Sequence, residues 1–299
     1  MMTREPIAPV LPPLRGRVQA EAPLAAFTWF RVGGPAEWLV RPADVDDLLL
    51  LLRDAPAAMP VTVLGAASNL IIRDGGVRGV VLRLGGRAFG GVLRDGDGYI
   101  AGAAALDTTV AEYAAADGLD GLAFLSGIPG TIGGAVAMNA GAYGSDIAAV
   151  LDWAEIATPA GLLRLDAAEL GLAYRHAALP ARGVVVRARL RAHPGDPAPR
   201  MAEIRAAREA TQPVRARTGG STFANPPGQK AWTLIDAAGC RGMTLGQAQV
   251  SPLHCNFLLN LGGATAAEIE ALGEAMREKV RTQSGVDLRW EIRRIGEPA

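Results

Sequence analysis

The amino-acid sequence predicts an α+β fold built in three parts, and two features of its pattern support that prediction. Amphipathic helical segments alternate with short apolar segments typical of strands, and elsewhere glycine turns separate strands that follow one another directly. A chain of 299 residues also exceeds what one hydrophobic core usually organises. We therefore expect a first part over residues 1–84, a second over 85–198 and a third over 199–289.

The first part shows strands around one clear helix. Residues 1–24 are a proline-rich lead-in, and residues 28–40 have extended character. Asp44 is placed to cap a helix, because apolar side chains from Val45 onward recur at helical spacing. Short buried strands are expected over residues 61–64, 70–73 and 80–84.

The second part has mostly strand character. Residues 92–100 predict a hairpin around two Asp-Gly pairs. Thr109 and Glu112 have the spacing of a capping box, which predicts a helix over residues 109–117. Strands of one sheet are expected over residues 153–158, 161–165 and 184–190.

The third part mixes helices and strands in similar measure. Thr265 and Glu268 again have capping-box spacing, and a long amphipathic helix follows them. The remaining elements are two helices and two strands, over residues 201–211, 232–238, 253–261 and 286–295.

Charge and cysteine content exclude several classes of protein. Thirty Lys and Arg residues balance thirty Asp and Glu residues, so the chain has no electrostatic footprint for nucleic acid. Cys240 and Cys255 are too few for a disulfide framework, and three scattered histidines predict no metal site. The uncharged residues 121–145 hold seven glycines and a proline, which is unlike a membrane helix. The N-terminus lacks the apolar region of a signal peptide, so we expect a cytoplasmic protein without a membrane partner.

Two loops have the composition of phosphate-binding segments. Residues 65–70 follow a buried strand and include Ser68 and Asn69, while residues 127–134 contain four glycines. Small residues let a backbone approach a pyrophosphate, and successive N–H groups form an anion-binding nest. Either loop alone is better interpreted as a tight turn. The two together favour a dinucleotide cofactor.

Three polar residues are candidates for chemistry. Ser221 lies among small neighbours that leave its hydroxyl accessible, although a turn serine would look the same. Glu291 lies on the polar side of the last predicted strand, where an exposed ladder of ion pairs is the alternative. Arg175 would by default be a surface arginine.

Taken together, the motifs resemble one family in order along the chain. The sequence from residue 28 to 296 resembles the UDP-N-acetylenolpyruvoylglucosamine reductase family, the flavoenzymes of peptidoglycan precursor synthesis. The motifs that carry the resemblance are TWFRVGG at 28–34, LGAASNLIIRDGG at 64–76, GIPGTIGG at 127–134, NAGAYG at 139–144, YR at 174–175, GGSTFANP at 219–226, IDAAGCRG at 235–242 and WEIR at 290–293.

The resemblance implies a cofactor and a fold. FAD would bind without a covalent link, in the fold of the vanillyl-alcohol-oxidase (PCMH-type) flavoproteins, beside a separate α+β substrate-binding domain. Residues 1–84 and 85–198 would be the two FAD-binding subdomains, and the segment 290–299 would return to the first of them. The cofactor-binding residues implied are Gly65, Ser68, Asn69, Leu70, Gly127, Pro129, Gly130, Gly133, Gly134, Gly141 and Tyr143.

The resemblance also implies a reaction. NADPH would reduce the flavin and leave, and the enolpyruvyl ether of UDP-N-acetylglucosamine would enter the same pocket to become UDP-N-acetylmuramate. Arg175 and a protonated Glu291 would stabilise the oxyanion, and Ser221 would give a proton to the adjacent carbon. The substrate-contact residues implied are Asn225, His254 and Asn256. The chain resembles the shorter subtype without the inserted tyrosine segment, and we expect a monomer.

Three positions depart from the family pattern. Ala66 and Ala67 stand where glycine is common, and Ala224 stands where a lysine is usual. Lys230 is a hypothetical substitute for that lysine. Two alternatives remain open: another flavoprotein oxidase of the same fold, and a nucleotide-sugar-binding protein that has lost catalysis.

Overall fold

The computed structural model describes residues 11–299, so the first ten residues of the predicted lead-in lie outside the described part. Residues 11–299 form eight α-helices: α1 (Val45–Asp54), α2 (Gly86–Gly90), α3 (Asp107–Ala116), α4 (Ile132–Ala137), α5 (Ile147–Val150), α6 (Ala198–Thr211), α7 (Ala231–Ala237) and α8 (Ala266–Ser284). None of these helices combines the length and the apolar composition that a membrane crossing requires.

The same residues form nineteen short strands. They are β1 (Arg17–Pro23), β2 (Pro35–Arg41), β3 (Val61–Val63), β4 (Leu70–Ile72), β5 (Val77–Leu82), β6 (Val92–Asp95), β7 (Gly98–Gly102), β8 (Leu119–Asp120), β9 (Gly141–Ala142), β10 (Ser145–Asp146), β11 (Leu151–Thr158), β12 (Gly161–Asp166), β13 (Val184–Arg191), β14 (His193–Pro194), β15 (Arg217–Thr218), β16 (Thr244–Leu245), β17 (Ala248–Val250), β18 (Leu258–Asn260) and β19 (Arg293–Ile295).

The first sheet has the strand order β1-β2-β5-β3, with β2, β5 and β3 parallel and β1 antiparallel to β2. Asp44 caps α1 as predicted, because its carboxylate accepts a hydrogen bond from the Asp47 N–H at 3.0 Å. The prediction that residues 1–24 are only a proline-rich lead-in is wrong where β1 forms. Only Ala22 of that edge strand is buried, so pairing with β2 forms it and side-chain pattern gives no signal. Of the extended segment 28–40, the structure pairs only the part in β2.

The second sheet is antiparallel, with the order β12-β11-β13-β7-β6. The predicted hairpin and the three strands of one sheet are confirmed. The predicted capping box at Thr109 is wrong, because α3 begins earlier, at Asp107, and no side chain caps it. Instead, the Asp107 N–H donates to the Gly130 carbonyl at 3.2 Å, so a tertiary contact sets the start of this helix.

The third sheet, β15-β18-β17-β16, packs against α8, and α8 in turn contacts α7. The capping box of α8 is confirmed, with both reciprocal hydrogen bonds between Thr265 and Glu268 present. The predicted strand 253–261 is wrong over its first half. There the Ser251 hydroxyl accepts two backbone N–H groups at 3.2 Å and holds a turn.

The chain ends by returning to the first part. The predicted strand 286–295 is wrong except for β19, which pairs in parallel with β4. Leu288 and Ile292 are buried in the core around α8, and between them Trp290 pairs with Phe223 in a single antiparallel bridge. Phe30 and Ile71 of the first part share that core. The boundaries of the three parts stay a prediction.

Candidate functional site

One large cavity of about 1010 Å³ lies where the three parts of the chain meet. Both predicted phosphate loops line it, and so do Arg175, Ser221 and Glu291. Its volume suits a large organic ligand, since pockets for drug-sized molecules run from about 300 to 1,000 Å³. The fold therefore brings the predicted cofactor and catalytic residues to one place.

The two predicted phosphate loops approach each other closely at Gly65. A Cβ atom on Gly65 would stand 2.8 Å from Thr131 Oγ1 of the second loop. A Cβ on Gly133 would stand 2.8 Å from the Ala103 Cβ and 3.1 Å from its carbonyl oxygen. These close approaches explain why backbone lines this side of the cavity. In the first loop, Ala67 adopts a φ of 51°, which explains why glycine is common at that position.

Ten of the eleven predicted cofactor-binding residues line the cavity. They are Gly65, Ser68, Asn69, Leu70, Gly127, Pro129, Gly130, Gly133, Gly134 and Gly141. Tyr143 does not. Its ring packs against Gly127, where an added Cβ would stand 2.6 Å from Cε2, and its carbonyl accepts from Arg200 at 2.9 Å. Tyr143 therefore supports the cavity wall from behind.

Three observations indicate that FAD fits this set of residues. The glycine backbone leaves room for a pyrophosphate, and buried polar atoms such as Asn69 Oδ1 have no partner within residues 11–299. The third observation is the positive charge of the cavity lining. Arg83, Arg208 and Arg293 line the cavity beside Arg175, which suits a ligand with phosphate groups.

Arg175 and Glu291 form an ion pair inside the cavity. Arg175 Nε donates to Glu291 Oε1 at 2.9 Å, and Arg175 Nη1 donates to the Gly141 carbonyl at 3.3 Å. Arg175 has a φ of 56°, a left-handed conformation that costs a non-glycine residue roughly 1–2 kcal/mol. A tight turn in which Ala173 and His176 exchange backbone hydrogen bonds holds it there. The pair thus joins a strained turn to the C-terminal segment.

Ser221 is fixed to the same corner through backbone hydrogen bonds. The Glu291 N–H donates to the Thr222 carbonyl at 2.9 Å, next to Ser221. Asn69 of the first phosphate loop donates from Nδ2 to the Glu291 carbonyl at 3.3 Å. The first loop, the serine loop and the C-terminal segment are therefore tied together. We call the three candidate catalytic residues, Arg175, Ser221 and Glu291, the catalytic corner.

The substrate contact at Asn256 stays a prediction, and the structure gives this residue a different set of contacts. Asn256 is buried and does not line the cavity. Its side chain accepts from the Phe223 N–H at 3.0 Å and donates to the Phe223 carbonyl at 2.8 Å, and its own carbonyl accepts from the Thr222 N–H at 2.7 Å. Asn256 therefore clamps the loop that carries Ser221.

Asn225 and His254 also lie away from the cavity wall. The Asn225 Oδ1 atom accepts from the Ala231 N–H at 3.0 Å and so secures the start of α7. The His254 ring packs edge-on against Phe257 with centroids 5.0 Å apart, and burial lowers the pKa of its imidazole. The substrate contacts predicted for both residues are therefore not supported by their positions.

Asp107 is an acidic residue on the cavity wall that the sequence motifs did not predict. It begins α3 and lies in register with Val110, Ala111 and Ala114, all of them buried. An acidic residue on an apolar helical stripe was the available signal. Within residues 11–299, no group of His, Cys, Asp and Glu side chains could hold a metal ion.

Both halves of the chain match known protein families. Residues 36–166 match the family described as FAD binding domain, and residues 212–295 match the C-terminal domain of UDP-N-acetylenolpyruvoylglucosamine reductase. The chain is 66% identical over 288 residues to the reductase of that name from Granulibacter bethesdensis, which covers 95% of this chain and 93% of that protein. It is 64% identical over 287 residues to the Gluconobacter oxydans reductase, with 95% and 94% covered.

A solved structure is similar along nearly its whole length. The crystal structure of the reductase from Thermus caldophilus matches with a TM-score of 0.81 and 35% identity, covering 94% of this chain and 99% of that one. The predicted α+β fold with an FAD-binding domain and a separate C-terminal domain is confirmed, and the two alternative functions are not favoured. The chain belongs to the UDP-N-acetylenolpyruvoylglucosamine reductase family.

Proposed function

We propose that the chain reduces the enolpyruvyl ether of UDP-N-acetylglucosamine to UDP-N-acetylmuramate with FAD and NADPH. The observation that carries the proposal is the catalytic corner, which opens into the same cavity as the two phosphate loops. Bound FAD would supply the redox chemistry, taking a hydride from NADPH and delivering it to the methylene carbon of the substrate. The residues of the chain must then stabilise the negative charge that hydride transfer leaves on the substrate.

Arg175 and Glu291 are proposed to stabilise negative charge on the substrate. Hydride addition to the methylene carbon leaves a carbanion beside the substrate carboxylate, and its charge spreads onto the carboxylate oxygens. A guanidinium stays positive at physiological pH, so Arg175 can stabilise that charge without reorganising. Glu291 holds the guanidinium in orientation through the 2.9 Å hydrogen bond, and its protonated form would donate to the same oxygens.

Ser221 is proposed to complete the reaction with a proton. Its hydroxyl would protonate the carbon beside the carboxylate, so one hydride and one proton add across the double bond. A serine hydroxyl is a weak acid, yet it needs only to be stronger than the carbanion. Its placement therefore matters more than its pKa. The clamp by Asn256 and the link to Glu291 support that placement.

NADPH and the substrate are proposed to use this cavity in turn. Both carry phosphate groups, and the arginines that line the cavity would suit either. The wider role follows from this reaction: we propose peptidoglycan precursor synthesis in the cytoplasm, by a monomer, and hence a part in cell-wall growth.

A product analysis tests the proposal. The purified protein is mixed anaerobically with NADPH and the enolpyruvyl ether. The mass of the nucleotide product is then measured by mass spectrometry. We expect a product two hydrogens heavier than the substrate, formed one for one with the NADPH consumed. If the ether stays unchanged and the protein instead consumes oxygen with a sugar or an alcohol and without NADPH, the protein is an oxidase. Neither product nor consumption would indicate a binding protein.

A further inference from the structure

Asp107 is a buried acid without a partner in the protein. Its side chain is 0% exposed, and neither carboxyl oxygen has a hydrogen-bond partner within residues 11–299. A buried polar group left unpaired is destabilising, and an ionised one is more so. Native proteins seldom keep such a group without a use for it. The missing partner is therefore expected to come from outside the chain.

The carboxyl group lies against the glycine-rich wall, which we define as residues 127–134. The Asp107 N–H donates to the Gly130 carbonyl at 3.2 Å. A Cβ atom on Gly130 would stand 2.5 Å from Asp107 Oδ2, so any larger residue at 130 would collide with the carboxyl group. Asp107 and the wall both line the large cavity. The unpaired acid thus lies at the surface proposed for the cofactor.

Charged side chains do not face Asp107 from the elements around it. The turn 123–127 and β7, both packed on α3, contain no charged residue, and the glycine-rich wall contains none. Tyr99 of β7 bonds to Asp117 at the far end of α3, Asp120 of β8 accepts from its neighbour Gly121, and Glu112 of α3 is exposed. Burial raises the pKa of Asp107 to about 8, and no charged group contributes to the shift. The group is therefore mostly neutral at pH 7.

We propose that Asp107 is a further cofactor-binding residue, whose neutral carboxylic acid donates a hydrogen bond to the dinucleotide along the glycine-rich wall. The inference rests on the proposed use of FAD. A neutral carboxylic acid has one O–H donor, and the oxygen atoms of a dinucleotide offer acceptors for it. Above the pKa of the acid, the donor is lost and a buried negative charge takes its place. Cofactor binding then weakens at alkaline pH.

The test measures FAD affinity of the flavin-free protein as a function of pH. FAD is titrated by its fluorescence between pH 6 and 10 into the unaltered protein, Asp107→Asn and Asp107→Ala. The matched control is Glu112→Gln, which neutralises an exposed carboxylate of the same helix. For the unaltered protein and the control, we expect constant affinity below pH 8 and a fall of up to about tenfold per pH unit above it.

Asp107→Asn keeps a neutral donor of the same size, so its affinity is expected to stay near the low-pH value up to pH 10. Asp107→Ala is expected to bind FAD roughly three- to tenfold more weakly at pH 7, the usual value of one hydrogen bond. Equal affinities in all variants, or an Asp107→Asn profile that still falls above pH 8, would overturn the proposal.

A second readout needs no cofactor. The unfolded chain ionises Asp107 near pH 4, while the folded chain keeps its proton up to about pH 8. The folded state then binds more protons, so the stability contributed by this group is lost as pH rises from 4 to 8. Thermal unfolding of the flavin-free protein should show that loss relative to Asp107→Asn. A chain that binds FAD with this pH profile but forms no product would refute the proposed function and leave the role of Asp107 standing.

Discussion

The two sides of the cavity are built in opposite ways. The glycine-rich wall is one continuous segment, carries no charge and presents backbone. The catalytic corner consists of three side chains, and its Arg175 and Glu291 lie 116 residues apart in sequence. A ligand therefore meets peptide groups on one side and an ion pair with a hydroxyl on the other.

The two sides should respond to different kinds of substitution. Backbone groups cannot be removed by substitution, so the wall is damaged by added volume. The corner has room for other side chains, so it is damaged by the loss of a polar group. Substitutions in the wall should lower stability or cofactor binding, whereas substitutions in the corner should lower rates and leave the folded protein intact.

The largest expected effect is at Ser221. In Ser221→Ala, reoxidation of the reduced flavin by the enolpyruvyl ether should slow by roughly 10²- to 10⁴-fold, the usual contribution of a general acid. Reduction of the flavin by NADPH should change less than twofold. Stopped-flow absorbance of the two half-reactions measures both rates. Ser126→Ala is the control, because its hydroxyl bonds to the Ala123 carbonyl and does not line the cavity. Equal slowing of both half-reactions would show that Ser221 shapes the pocket.

A smaller effect is expected at Gly133. In Gly133→Ala, the new methyl group would crowd Ala103, and overpacking of this kind costs about 1–3 kcal/mol. Gly134→Ala is the matched control one residue on, since its Cβ would meet only Thr131 Oγ1 at 3.6 Å. Urea unfolding of the flavin-free variants gives both free energies. If the two variants lose the same stability, close approach to Ala103 does not explain the wall.

The smallest effect is expected at Lys230. Lys230 is exposed, precedes α7 and does not line the cavity. It is therefore badly placed to replace the lysine that the family usually has at position 224. Lys230→Ala should leave the Michaelis constants for NADPH and the enolpyruvyl ether within twofold of their original values. Steady-state kinetics measures both Michaelis constants. A severalfold rise in either constant would restore Lys230 as the substitute cation.

The sequence predicted what depends on local pattern. The capped helices α1 and α8 and the second sheet follow from periodicity and from capping residues. The two candidate phosphate loops follow from small residues after a buried strand in the first and from glycine content in the second. Edge strand β1 was missed because its side chains are exposed and only backbone pairing forms it. The start of α3 was misplaced because a contact with Gly130 sets it.

The candidate site was predictable only in part. Motif resemblance placed Arg175, Ser221 and Glu291 in one site, and the structure puts all three on one cavity. It also suggested Asn256 as a ligand contact, whereas the structure shows its amide accepting from and donating to the backbone of Phe223. A sequence motif records which residue stands at a position, and only the packed structure decides whether it faces the ligand or holds its neighbour.

The central claim is that one cavity serves both half-reactions, and an anaerobic absorption spectrum tests it most directly. The FAD-loaded protein is titrated first with NADPH and then with the enolpyruvyl ether, each in a single equivalent. We expect the yellow colour to bleach with NADPH and to return with the ether. A protein that bleaches with NADPH and stays colourless after the ether, with the fold intact, would contradict the claim.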